Sequence, residues 1–194
     1  MLREERLSAQ FELTSLTMAI VPVPYGSKIY SKVLETDREY ISPKKPLDLI
    51  KAGCRYYASS YSGRREGTKE LIGVTHKAPI VIDPVQSIYF FPTASPKKAD
   101  CAWISHEHVV RFHAIDRTKT EVMFQNGSSY VFPISPYSFE NQMLRTALLR
   151  LKISQRFRIF PEADLRQQSA ENQVPYRFAS GSFEWIPAKR PYRK

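Results

Sequence analysis

The residues Cys54–Thr68, CRYYASSYSGRREGT, hold the densest chemistry in the chain, alternating arginines, tyrosines and small hydroxyl residues. Between Lys51 and Lys69 the bases Lys51, Arg55, Arg64, Arg65 and Lys69 stand against one acid, Glu66. Guanidinium forks bind phosphate and also enter narrow, electronegative minor grooves. Ser59, Ser60 and Tyr61 supply hydroxyls of the kind that position a sugar-phosphate backbone, and Gly63 and Gly67 would let the chain turn tightly around it. Nucleic-acid binding fits this pattern. So does a solvated hairpin whose tyrosines pack on the core. His76-Lys77, just before Pro79, would touch phosphate from a strand edge or sit at a solvent-facing loop end.

Other chemistries are less well provided for. Cys101-x4-His106-x-His108, with His113 nearby, brings soft ligand types together. Strand alternation would put His106 and His108 on one face, but a structural zinc wants four ligands and no matching Cys-x-x-Cys exists. Cys54 would have to come from far away, so buried strand histidines and a buried cysteine are the plainer reading. Ser59, Ser60, Ser62 and Ser105 lack a G-x-S-x-G elbow. Gly63-x3-Gly67 lacks the Lys-Ser/Thr that completes a phosphate loop. The chain reads as a non-enzyme without a cofactor, with a metal-dependent enzyme at Cys101/His106/His108 as an alternative.

The elements that must hold these groups are short. The 14 prolines are spread throughout and argue against long helices over most of the chain. Strands are expected at 11–23, 29–34, 80–82, 88–91, 103–106 running into 108–115, 120–125 and 129–134, with a short helix opening at Pro46. Asn126-Gly127 marks a hairpin. A three-residue loop with Gly127 left-handed would pair Phe124 with Tyr130 and Val122 with Phe132. One long helix starts after Ser135-Pro136 and ends by about Phe157, carrying Phe139, Met143, Leu144, Ala147, Leu148 and Leu151 at steps of three and four. The fold class is α+β: a β-rich bent sheet or partial barrel plugged by the C-terminal amphipathic helix, in the element order of pleckstrin-homology-like domains. Residues 1–157 form the domain, and 158–194 read as a flexible basic tail.

A net charge of +10 and a pI near 9.6 imply polyanionic partners. Nucleic acid comes first; an anionic membrane surface or phosphoinositide is the alternative. At 42% hydrophobic residues the chain has enough for a core. Two cysteines, a charged N-terminus and a short apolar run broken by Pro22 fit neither a secreted nor a membrane-spanning protein, so the cytoplasm is expected.

The strings CRYYASSYSGRREGT, THKAPIVIDP (75–84), WISHEHV (103–109) and PISPYSFENQMLRTALLR (133–150) resemble the ComK family of bacterial competence transcription factors. The match is close over 45–152 and weak beyond about 162. It implies an activator of DNA-uptake genes that reads paired A/T-rich promoter boxes largely through the minor groove, as a dimer or tetramer. On that resemblance Arg64 and Arg65 enter the groove, while Lys51, Arg55, Ser59, Ser60, Tyr61, Lys69, His76 and Lys77 hold the backbone. Phe157, Ile159, Phe160 and Pro161 resemble the family's element for an adaptor of a Clp-type protease, although Arg158 interrupts its apolar character. RNA polymerase is a further implied partner. The implied location is the cytoplasm, at the nucleoid.

Overall fold

Runs of β-branched and aromatic residues punctuated by proline and glycine build the first sheet. The computed structural model describes residues 12–157, 176–179 and 182–185. Strand β1 (Thr17–Tyr25) turns at Gly26, whose φ of +58° suits a residue without Cβ, into β2 (Lys28–Glu35) and then β3 (Glu39–Ser42). Two helices follow, α1 (Pro46–Tyr56) and α2 (Tyr61–Ile72), before β4 (Ile80–Asp83), β5 (Ile88–Pro92) and β6 (Trp103–Ser105). These six strands form one antiparallel sheet in the order β3-β2-β1-β6-β5-β4. Next come β7 (Val109–Ala114), β8 (Thr120–Phe124) and β9 (Ser129–Phe132), then α3 (Pro136–Phe157). Strands β10 (Tyr176–Ala179) and β11 (Ser182–Trp185) complete a second sheet, β10-β11-β7-β8-β9.

The first sheet is buried on both faces. Ile20, Val33, Ile80, Ile82, Phe90 and Trp103 pack under Leu49, Ile50 and Cys54 of α1. On the opposite face Ala19, Val21, Phe91 and Ile104 meet Phe112, Val122, Phe124 and Phe132 of the second sheet, with Phe139 and Met143 of α3. At the β4 edge, Val81 and Tyr89 are covered by Leu149 and Ile153 of α3 and by Leu71 and Ile72 of α2. The α+β class holds, and α3 starts where the Ser135-Pro136 signal puts it. The two sheets do not close into a barrel.

Several local expectations are corrected. The Cys54–Thr68 stretch is no glycine turn: it is the end of α1, a short link and most of α2. The Ser60 side chain accepts the Gly63 N–H at 3.0 Å and so caps α2, while Thr68 Oγ1 donates to the Pro79 carbonyl at 2.9 Å. Capping and docking outweigh the weak helix propensity of Gly63 and Gly67. The β8–β9 loop has three residues with Gly127 left-handed, as expected, but Val122 pairs with Tyr130 and Thr120 with Phe132. A slip of two residues keeps every side chain on its intended face. The apolar residues of α3 divide: Phe139, Met143, Leu149 and Ile153 are buried, whereas Leu144, Leu148 and Leu151 are exposed.

His106 and His108 do not alternate along a strand, because 106–108 is the turn between β6 and β7. The His106 N–H donates to the Tyr89 carbonyl at 3.0 Å, and the His108 ring nitrogen lies 2.7 Å from the Ser15 carbonyl. Burial, with the Arg150 charge adding, pushes the His106 imidazole down to about 3. The unfolded ring titrates near 6.5, so below that pH the unfolded chain binds a proton that the fold refuses. This contribution is fully present above pH ~6.5 and falls by about 1.4 kcal/mol per unit on acidification toward the folded value. His106→Leu should therefore shrink the loss of unfolding free energy between pH 7 and pH 5 by about 2 kcal/mol, measured by denaturant titration. An unchanged pH dependence would contradict this placement of the ring.

Candidate nucleic-acid interface

Helix α2 presents a hydroxyl-and-base line to solvent, set by its cap and its docking. Ser62, Arg65 and Lys69 recur at steps of three and four and are all exposed. Next to that line lies an acidic one, Glu66 and Glu70, also exposed. The face turned to the protein holds half-buried Tyr61, buried Thr68 and partly buried Leu71. Tyr61 meets Trp103 edge-on at 6.2 Å, and burial raises its phenol pKa. The surface is thus less basic than a count ending at Lys69 implies, because Glu70 stands one residue further on.

Neighbouring arginines take different parts. Arg64 turns inward, its Nη2 donating to the Ile82 carbonyl at 3.1 Å, and so ties α2 to β4. Arg65 is exposed. On α1, Arg55 is exposed in the last turn, while Lys51 Nζ lies 3.6 Å from Asp48 Oδ1. The link between the helices turns at Ala58, φ 51°, and the Ser59 N–H donates to the Cys54 carbonyl at 2.9 Å. This holds Ser60 where its side chain can cap α2. Ser60, Ser62, Arg65 and Arg55 therefore collect around the α1–α2 junction. His76 and Lys77 do not join them.

Helix α2 runs from Arg64 beside Ile82 to Thr68 beside Pro79, so its C-terminus points to the start of β4. Lys77 lies at that far end, where the Gln142 amide donates to both the Lys77 and Pro92 carbonyls, at 3.0 and 2.7 Å. The loop after Pro92 carries exposed Lys97 and Lys98. The β1–β2 turn with Lys28 and the β3–α1 connection with Lys44 and Lys45 open at the same end, since Ser31 pairs with Ser42 and its Oγ donates to the Lys44 carbonyl at 2.6 Å. A cleft of about 360 Å³, lined in part by Pro24, Ile29, Ala99 and Asp100, brings hairpin and loop together. Apart from Lys77, this lysine rim went unread in the sequence because its members are dispersed over seventy positions, from 28 to 98.

Nothing here prepares a nucleophile at the cysteines. Both thiols are buried and unpaired, and burial pushes Cys54 and Cys101 each up to about 11. Cys101 Sγ lies 3.5 Å from the Ala94 carbonyl. Among the described residues no group of three or more His, Cys, Asp or Glu side chains could hold a metal ion, and no helix is long and apolar enough to cross a membrane. Phe157 is the last residue of α3, and Ile159, Phe160 and Pro161 lie outside the described residues.

A family model described as ComK protein matches residues 8–158, which include every residue of the α1–α2 surface. The competence transcription factor of Bacillus subtilis (strain 168) is 44% identical over 146 residues, covering 75% of this chain and 76% of that relative. No solved structure matches significantly. With the family model spanning most of the chain and the relative covered over three quarters of its length, this chain belongs to the ComK family.

Proposed function

We propose that this protein is a transcriptional activator of competence genes, acting without catalysis or a cofactor by binding A/T-rich promoter DNA. The observation that carries the reading is the Ser62–Arg65–Lys69 line on capped helix α2, within a chain whose relative is a competence transcription factor. An α-helix with side chains is about 10–12 Å across, and the minor groove of B-DNA about 6 Å wide. Helix α2 therefore lies over the groove, and only a side chain enters. Arg65 is that side chain. Ser60, Ser62 and the first-turn amides meet one phosphate strand, where the positive end of the helix favours anions. Arg55, Lys51 and Lys69 contact flanking phosphates, and Lys77, Lys97 and Lys98 reach the backbone from the far end of the sheet. Arg64 serves from inside, by fixing the helix.

One minor-groove module distinguishes A·T from G·C and little more, so promoter choice needs several copies on one DNA face, at boxes about 10 bp apart. The protein works in the cytoplasm at the nucleoid, and RNA polymerase is its downstream contact. Residues 158–194 are a regulatory segment in this account, within which β10 and β11 join the β7 edge of the second sheet, and Phe157, Ile159, Phe160 and Pro161 are the element an adaptor of a Clp-type protease would grasp.

Two measurements test the DNA reading. Arg65→Ala combined with Lys69→Ala should weaken binding to A/T-rich duplex at least tenfold, with a melting temperature near that of wild type, because exposed charges add little stability. Arg64→Ala should instead lower stability by about 1–2 kcal/mol by leaving the Ile82 carbonyl without its donor. Equal effects from both variants would contradict the division between groove side chain and anchor. Replacing A·T by I·C pairs keeps the minor-groove pattern and changes the major groove. Affinity should survive that exchange, and its loss would mean that the major groove is read.

A further inference from the structure

Helix α3 carries a second apolar stripe that no described residue covers. Tyr137, Leu144, Leu148 and Leu151 are 76, 45, 44 and 52% exposed. They sit opposite the buried face formed by Phe139, Met143, Thr146, Leu149 and Ile153. Their spacing is that of a heptad seam: Tyr137, Leu144 and Leu151 at d positions, and Asn141, Leu148 and Gln155 at a positions. From 137 to 155 the stripe extends about 27 Å. Two features on this seam point to the same occupant. Asn141 stands at an a position, where a paired asparagine fixes register in parallel two-stranded coils. The flanks are complementary in the parallel sense, for Glu140 at g faces Arg145 at e of the other copy, five residues on. Antiparallel pairing would instead set the exposed basic flank of Arg145, Lys152 and Arg156 against itself.

We infer that two copies of this chain associate through α3, side by side and parallel, with Leu144, Leu148 and Leu151 at the centre and two symmetric Glu140–Arg145 pairs at the rim. The helix is already folded against its own sheet, so the pair forms without the ordering cost that defeats short isolated coiled coils. The inference supplies the self-association surface of the proposed activator.

The test uses the full chain without DNA, so it can fail while DNA binding stands. Sedimentation at tens of micromolar should show a dimer, and Leu148→Glu should weaken it at least tenfold with unchanged melting temperature. Glu140→Arg alone should weaken the dimer, and Glu140→Arg with Arg145→Glu should restore it. On oxidation Asn141→Cys and Leu148→Cys should each give a disulfide-linked dimer, because in a parallel pair every a residue meets its own copy. A monomeric wild type, a dimer indifferent to Leu148→Glu, or cross-linking at 148 but not at 141 would overturn the proposal. So would binding of a leucine-rich acidic peptide at this face in place of a second copy.

Discussion

The rest of the structure depends on one constraint: the first sheet has two apolar faces and must hide both. Two of its strands are continuous apolar runs rather than alternations, with Ile80–Ile82 of edge strand β4 and Ile88–Pro92 of its neighbour β5 buried throughout. One layer cannot cover them. Helix α1 covers one face, the second sheet and α3 cover the other, and α2 closes the β4 edge between them. The candidate interface is the outer side of the layer that α1 and α2 form there. Its position is therefore fixed by burial, not by anything DNA contributes.

Within that layer the division of labour follows from helical spacing. Successive residues point about 100° apart, so the paired Arg64 and Arg65 cannot share a face. One reaches in to the Ile82 carbonyl, and the other faces solvent. With Thr68 held by the Pro79 carbonyl, α2 is fastened at two points along β4. A side chain carried on so rigid a mount loses little freedom when it enters a groove, which favours binding.

The strands other than β3, β10 and β11, the Ser135-Pro136 start of α3 and the left-handed Gly127 were legible because each has a local cause. Helix α2 was not, because its cue lies in the tertiary structure. YSGRREGTKELI contains two glycines and little apolar material, and the turn before it uses Ala58 at positive φ where glycine would have announced it. The same holds for α3, where one list of leucines conceals two stripes whose separation depends on where the sheets sit. The histidine turn was misread because WISHEHV alternates like a strand, although the fold reverses there. The candidate residues around 55–65 nonetheless stand out, since their chemistry is concentrated in sequence. The lysine rim, Lys77 apart, does not, since only the topology assembles it.

The most direct test of the account is amide hydrogen exchange of the full chain with and without an A/T-rich duplex. Bound DNA over α2 should slow exchange at Tyr61 and Ser62, first-turn amides without a helical acceptor, since the Ser60 side chain serves Gly63 and the Ser60 carbonyl serves Arg64. Protection there, reversed by raised salt, is the predicted result. Tight DNA binding with no change at 60–69 would contradict the account.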